Sequence, residues 1–314
     1  MKVLITGGSG FIGRNLAKYF SEKTDYEIVS TTFKSNKIER FGKEYITYKD
    51  LTKQEDIDSI FYWEKFDIVF DLASISGGFR FLEENMTRVV SENMLMNLNV
   101  LNAAVKHKVP KILFASSSCV YPTHKVEKQF LEEDAYPINS ENLYGLQKIY
   151  MENTYKEYAK KYPIEVYLPR LDGILGPFTQ YKGIKAQGLA NLCYKIISLE
   201  NNGSIELFGS GKQKRDYLYV DDCLEAMLAL INSNYHHPIN ISHGQPQELD
   251  SFINEICKIL DKNINVNYSG ENVGVTTRTI SNKLAKEKIN WEPTTKIENG
   301  LEKMINWMKE EMKV

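Results

Sequence analysis

The chain has 314 residues, 42% hydrophobic and 25% charged, with a formal net charge of −2. That balance suits a globular protein of one large domain or two lobes sharing a cleft, and it supplies no global basic field for nucleic acid or an acidic membrane. The N-terminal MKVLITGG is too short in its apolar part for a secretory signal, and no apolar segment approaches the ~18–20 residues of a membrane helix. The four cysteines, at 119, 193, 223 and 257, are widely spaced, with no CxxC pair or adjacent histidines. This argues against a disulfide scaffold or zinc site and for reduced thiols in a cytoplasm.

In chain order, VLIT (3–6) reads as a buried strand and FIGRNLAKYFSEK as a helix with apolar residues near the 3.6 period. EIVSTT (27–32) and YITY (45–48) are the second and third strands. FYWEKF (61–66) reads as core or helix packing ahead of DIVFDLA (67–73), the fourth strand. A long helical stretch ending near Lys106 leads to KILFASS (111–117), and the acidic EED (132–134) reads as a solvated loop. A second helix over about 141–161 and the strand IEVYLPR (164–170) complete the series. Repeated strand-helix units predict a Rossmann-type, doubly wound α/β fold with a parallel sheet. The expected cofactor domain is 1–172. After residue 172, Gly- and Pro-containing loops separate short helices and isolated strands such as SIELFG and PINIS. Residues 173–314 are expected to form a smaller α/β substrate lobe, interleaved with the sheet and closing over its carboxyl edge.

The first strand runs into TGGSGFIG (6–13), with Gly7, Gly10 and Gly13. Glycine permits positive φ and close backbone approach, so a diphosphate can sit on the N–H groups that open the helix. An NAD enzyme would carry an acid at the end of the second strand. Here Thr32 occupies that place and Lys34 follows. A missing carboxylate and an added cation suit a 2′-phosphate, which favours NADP(H) over NAD(H). Tyr144 and Lys148, spaced i, i+4, share one face of a predicted helix. A free phenol titrates near ~10, and an adjacent ammonium lowers that value, so the pair can take a proton from a sugar alcohol.

With SSSCVYP (116–122), RLDGILGP (170–177), KRDYLYVDD (214–222) and Trp291-Glu-Pro293 in order along the chain, the sequence resembles the extended short-chain dehydrogenase/reductase superfamily, in its nucleotide-sugar epimerases, dehydratases and reductases. Within it, LASISGGF (72–79), SSSCVYP, YGLQK, GPFTQYKG (176–183) and VTTRTISNKLAKEKINWEP (275–293) resemble the GDP-mannose 3,5-epimerases. SSCxYP with a paired glycine after the fourth strand is also similar to the GDP-fucose synthases. The resemblance implies cofactor contacts at Gly7, Gly10, Phe11, Ile12, Gly13, Thr32, Lys34, Asp50, Leu51, Leu72, Ala73, Tyr144 and Lys148. It implies substrate contacts at Gly77, Gly78, Ser118, Lys182, Arg215 and Arg278, the two arginines on the diphosphate. Ser117 is then the hydroxyl over the sugar C4, Tyr144 the acid/base, Lys148 its electrostatic partner and Cys119 a proton carrier. On an extended strand, Ser117 and Cys119 would share a face.

A second proton carrier is less determined. Ungapped alignment puts Gln187 where the 3,5-epimerases have a lysine; Lys185 lies two residues earlier, and no histidine is near. Gly173 stands where relatives carry an asparagine on the diphosphate. Helices near 83–106 and 141–161 resemble those of a four-helix dimer interface, which implies a homodimer. The sequence thus reads as a cytoplasmic nucleotide-diphospho-sugar epimerase working through C4 oxidation and proton exchange at C3 or C5. The rival is an NADPH-dependent 4-keto-sugar reductase. A non-catalytic NADP-binding regulator is disfavoured, because this chain keeps Tyr144 and Lys148.

Overall fold

The computed structural model describes residues 1–33, 40–122, 129–140, 142–270 and 279–313. β1 (Lys2–Thr6) is buried from Val3 onward and feeds α1 (Phe11–Lys23), which lays Leu16, Ala17 and Phe20 on the core. β2 (Glu27–Thr32), β3 (Glu44–Tyr48), α2 (Gln54–Trp63), β4 (Ile68–Asp71) and the long α3 (Phe79–Lys106) follow.

Two predicted strands are each cut in two. The run at 111–117 divides into β5 (Lys111–Phe114) and β6 (Ser116–Ser117). After β7 (Gln129–Phe130) and α4 (Leu143–Lys161), the run at 164–170 divides into β8 (Glu165–Tyr167) and β9 (Pro169–Leu171). Pro169 has no N–H to give a ladder and marks the second break. Then come β10 (Gly173–Leu175), α5 (Gly188–Ser198), β11 (Ser204–Leu207), β12 (Lys214–Arg215), β13 (Tyr217–Tyr219) and α6 (Val220–Ile231). β14 (Ile239–Ile241), β15 (Gln247–Glu248), α7 (Leu249–Leu260), β16 (Asn265–Tyr268), β17 (Thr279–Ile280), α8 (Lys283–Ile289) and α9 (Ile297–Met312) complete the chain.

Among the described residues, one six-stranded sheet runs β3-β2-β1-β4-β5-β8 with every pair parallel. One face packs on α1 and α6, the other on α2, α3 and α4. This is the doubly wound α/β architecture that the strand-helix alternation predicts. The strand order turns at β1, which lies between β2 and β4, so a crevice opens at the carboxyl ends of those two strands. No helix among the described residues is long and apolar enough to cross a membrane.

Three local expectations change. SIELFG and PINIS are not isolated strands: β11 pairs with β16, and β14 pairs with β9, which pairs with β6. These partners are distant in sequence and leave no local pattern. In FYWEKF, Phe61 and Phe66 are core, but Tyr62 and Trp63 stand in solvent, because the inward face of α2 is Ile57, Ile60 and Phe61. EED is solvated only in part, with Glu133 exposed. It forms a short 3-10 turn in which the Glu132 carboxylate accepts from the Asn240 N–H at 2.8 Å.

That turn belongs to a buried polar joint. The fully buried Arg170 guanidinium donates to both Glu152 carboxylate oxygens at 2.9 and 2.7 Å, to the Tyr121 hydroxyl at 2.9 Å and to the Glu132 carbonyl at 2.8 Å. Ser116 Oγ donates to Glu152 Oε1 at 2.5 Å. Removing one partner strands the other as an uncompensated buried charge. Arg170→Met is therefore expected to cost about 3–5 kcal/mol of stability, measured by denaturant unfolding. A cost below ~1 kcal/mol would show that the joint is dispensable.

Candidate active site

The glycine loop lies at the switch point and is shaped for a close ligand. Gly7 has φ +68°, and a Cβ there would come within 2.9 Å of Ala73 Cα; one on Gly13 would lie 2.4 Å from the Gly7 carbonyl oxygen. Gly10 caps α1 without a side-chain bond, and the first turn, from Phe11 and Ile12, holds no acid, so the positive end of the helix is left for an anion. Thr6 Oγ1 accepts the N–H groups of Leu72 and Ala73, each at 3.0 Å, which ties the end of β4 to the loop. At the end of β2 the buried Thr32 hydroxyl donates to Ser9 Oγ at 2.9 Å. Asp50 Oδ1 accepts from the Thr52 N–H and hydroxyl at 3.1 and 2.6 Å, and Leu51 is core. The loop and the uncapped helix end fit a dinucleotide diphosphate. Lys34 lies outside the described residues.

Asn142 caps α4 by accepting the Tyr144 N–H at 2.8 Å, so Tyr144 and Lys148 stand one turn apart at its start. The Lys148 ammonium, on a side chain only 4% exposed as a whole residue, donates to the Ala115 carbonyl at 2.7 Å and lies 5.7 Å from the Tyr144 ring centroid. Burial lowers the Lys148 pKa to about 8, opposed first by the negative charge of Asp71 and then by Cys119 and Glu152. Burial, and then the nearby Cys119, push the Tyr144 phenol up, against a smaller pull from the Ser74 hydroxyl. Cys119 also lies beside the pair, its carbonyl accepting from Ser140 Oγ at 3.0 Å just ahead of α4.

The geometry that brings it there differs from the extended strand. β6 ends at Ser117, and Ser118–Val120 turn as a 3-10 helix capped by Ser117 Oγ, which accepts the Cys119 N–H at 3.2 Å. The alternation of an extended strand thus does not apply; the turn itself puts Ser117 and Cys119 on one cleft. Gly145 makes room for it, since a Cβ there would meet the Cys119 carbonyl oxygen at 1.9 Å. The cleft, about 400 Å³, is lined by Ser117, Ser118, Cys119, Asp172, Gln187 and Arg215 among others. Ser118 Oγ donates to Asp172 Oδ1 at 2.7 Å. The neighbouring Asp216, 4% exposed, is pushed up to about 7 by burial and by the charge of Asp172, despite backbone N–H donors such as Gly244 at 2.7 Å.

The remaining residues divide. Gln187 lines the cleft, whereas the Lys185 ammonium rests 4.8 Å from the centroid of the Phe81 ring at the start of α3. Gly78 caps α3 and lets the same loop approach: a Cβ there would lie 2.5 Å from the Ala186 carbonyl oxygen. Gly77 is likewise closed in, by the Phe81 ring. The exposed Lys182 ammonium lies 5.7 Å from the Tyr181 ring centroid. Arg278 lies outside the described residues. Sequence reasoning missed Asp71, Asn97, Tyr155 and Asp216; the one available signal was a carboxylate closing the otherwise apolar strand of DIVFDLA.

A nucleotide loop at a switch point, with a tyrosine and a lysine one helical turn apart beside it, defines an NAD(P)-dependent enzyme of the extended short-chain dehydrogenase/reductase class. The chain belongs to the NAD dependent epimerase/dehydratase family, whose model matches residues 3–242. It is 30% identical over 319 residues to GDP-mannose 3,5-epimerase 1 from Oryza sativa subsp. indica, covering 99% of this chain and 82% of that one. A UDP-glucose 4-epimerase from Thermotoga maritima, solved with UDP-glucose, has the same fold, with a TM-score of 0.89, 23% identity and coverage of 99% and 100%. So does a UDP-glucuronic acid 4-epimerase from Bacillus cereus, solved with UDP-glucuronic acid and NAD, with a TM-score of 0.83, 22% identity and coverage of 99% of both chains. The function is of the nucleotide-sugar epimerase/dehydratase type.

Glycine at 173 has a steric basis. A Cβ there would lie 2.5 Å from the Asp216 carbonyl oxygen, across the β10–β13 pair. Gly173→Asn is expected to lower the melting temperature by several degrees and to weaken ligand binding. An unchanged melt would mean that β13 yields at little cost.

Proposed function

We propose that the chain is a nucleotide-diphospho-sugar epimerase that acts on a GDP-sugar by transient oxidation at C4 and proton exchange at C3 or C5. The observation that carries this reading is the packing of the start of α4, with Tyr144 and Lys148, against the turn that holds Ser117 and Cys119: Lys148 donates to the Ala115 carbonyl and Gly145 faces the Cys119 carbonyl. A bound dinucleotide supplies the hydride acceptance and return. Tyr144 takes the proton of the C4 hydroxyl and gives it back, and the Lys148 ammonium stabilises the phenolate in between. Ser117 holds the C4 oxygen by a hydrogen bond. Oxidation at C4 acidifies the neighbouring C–H bonds, and the Cys119 thiol moves the proton at C3 or C5. Lys185 is the second proton carrier in this reading, which requires it to leave Phe81 for the cleft when a sugar binds.

In the same reading, residues 1–172 bind the cofactor and 173–314 most of the sugar nucleotide, with Gly77, Gly78, Ser118, Lys182, Arg215 and Arg278 on the substrate. The similarity to GDP-mannose 3,5-epimerase supports the guanine nucleotide. Thr32 in place of an acid supports NADP(H). Exposed Leu95 on α3 and Tyr150 on α4 support a homodimer joined through those helices, in a cytoplasmic protein on this reading.

One observation favours a second reading: a β2 end without a carboxylate also suits an enzyme that consumes NADPH, a 4-keto-sugar reductase. Incubating the enzyme in D₂O with GDP-sugars, and in a second arm with NADPH and a 4-keto GDP-sugar, separates the two. Epimerisation places deuterium at C3 or C5 with no net loss of NADPH, and stoichiometric NADPH oxidation would establish the reductase instead. Cys119→Ser is expected to slow deuterium exchange by about 10²-fold or more while leaving dinucleotide affinity unchanged. Exchange at the wild-type rate would reduce Cys119 to packing.

A further inference from the structure

We propose that Asp71 is a positioning residue for the Tyr144–Lys148 pair: its buried carboxylate, held ionised by three neutral donors, is the counter-charge that keeps the Lys148 ammonium protonated inside the protein. The proposal rests on the reading of Lys148 as the partner of Tyr144.

Asp71 ends β4 and is 1% exposed. Thr6 Oγ1 donates to its Oδ1 at 2.8 Å, and Asn97 Nδ2 and Tyr155 Oη donate to its Oδ2 at 2.9 and 2.7 Å. The other contacts of each donor fix these directions. Thr6 Oγ1 already accepts two backbone N–H groups, so its proton goes to Asp71. Asn97 Oδ1 accepts from Gln147 Nε2 at 3.3 Å, which turns the amide nitrogen towards Asp71. Tyr155 Oη faces two acceptors, Asp71 and the Asn97 carbonyl, and therefore donates. A carboxyl group that receives three donors on its two oxygens is acting only as an acceptor, which is the ionised form. On balance burial raises the pKa of Asp71, and these three donors and the Lys148 charge oppose that rise.

An anion at that depth requires a cation. Asp71 and Phe114 are register partners on β4 and β5, so their side chains share a face. The Phe114 ring stacks on Tyr155, with centroids 4.8 Å apart, and the Lys148 ammonium lies 4.6 Å from its centroid. Ala115 joins the two groups through the backbone. Its N–H donates to the Asp71 carbonyl at 3.3 Å, and its own carbonyl accepts from Lys148. The groups that bear on the Lys148 charge are Asp71 on β4, Cys119 after β6 and Glu152 on α4, with the Tyr144 ring centroid 5.7 Å away. Glu152 is matched by the Arg170 fork. The side chains that hydrogen-bond Asp71 are all neutral, and Asp71 offsets more of the burial cost of Lys148 than either Cys119 or Glu152.

Asp71→Asn keeps the size and removes the charge, so the Lys148 pKa falls. In the dinucleotide-loaded enzyme, with GDP-mannose as the probe, the basic limb of the pH–rate profile is expected to move down by ~1 pH unit or more. Tyr155→Phe removes a donor but no charge and is expected to leave that limb in place. A second readout needs no substrate. Lys148→Met leaves Asp71 as a lone buried anion, so the double variant Asp71→Asn/Lys148→Met is expected to melt at or above Lys148→Met alone. Additive losses in melting temperature, or a basic limb that Asp71→Asn does not move, would overturn the proposal. Failure of every nucleotide sugar to react would overturn the nucleotide-sugar reading alone, and the melts then decide the role of Asp71.

Discussion

The bidentate bond between Arg170 and Glu152 fixes where the cleft can form. Arg170 belongs to β9, a strand that has left the main sheet, and Glu152 belongs to α4, the helix that carries Tyr144 and Lys148. Ser116, on β6, donates to the same carboxylate. One buried ion pair thus sets the position of three elements, and the residues of interest follow directly from it: Ser117 after Ser116, Asp172 after Leu171, Lys148 one turn before Glu152. A buried pair of this kind contributes little net stability over an apolar substitute, yet it is costly to break, which makes it a registration device more than a source of stability.

The breaks at Ala115 and Leu168 give this joint its use. Had β5 run unbroken through Ser117, the serines would have continued the main ladder. The change of sheet instead places β6 beside β9 and aims the carboxyl ends of both into the space below α5 and β12. The following 3-10 turn then brings Cys119 round to the cleft. Gly145 and Gly173 mark how tightly the parts meet, because a single Cβ at either would collide with backbone oxygen.

What could be read in the amino-acid order was what repeats locally. The alternation of apolar runs with helical periods gave the doubly wound sheet, and the i, i+4 spacing gave Tyr144 and Lys148 a common face. The glycine loop was legible because positive φ and close backbone approach leave only one residue type available. The breaks within 111–117 and 164–170 were not legible as a change of sheet, since both halves of each run stay extended and only the pairing partner differs, although Pro169 stands at the second break. The pairing of β14 with β9 and the partial burial of Glu132 depend on segments far away along the chain. For Cys119, the inference of a shared face rested on strand alternation, whereas a turn that alternation does not describe makes the contact.

The electrostatics of Lys148 follow from these same placements. A lysine buried to this depth would ordinarily shed its proton, and a neutral amine cannot favour a phenolate. Two carboxylates lie near enough to oppose that loss, Asp71 and Glu152, but they are not equivalent. Glu152 shares its charge with Arg170, so the field it projects on Lys148 is largely cancelled by a guanidinium only 2.7 Å away. Asp71 is hydrogen-bonded by a threonine, an asparagine and a tyrosine, which stabilise its charge without neutralising it. The division of labour is therefore set by the identity of the donors: cationic donors make Glu152 a structural joint, while neutral donors leave the charge of Asp71 free to act on the ammonium above the Phe114 ring.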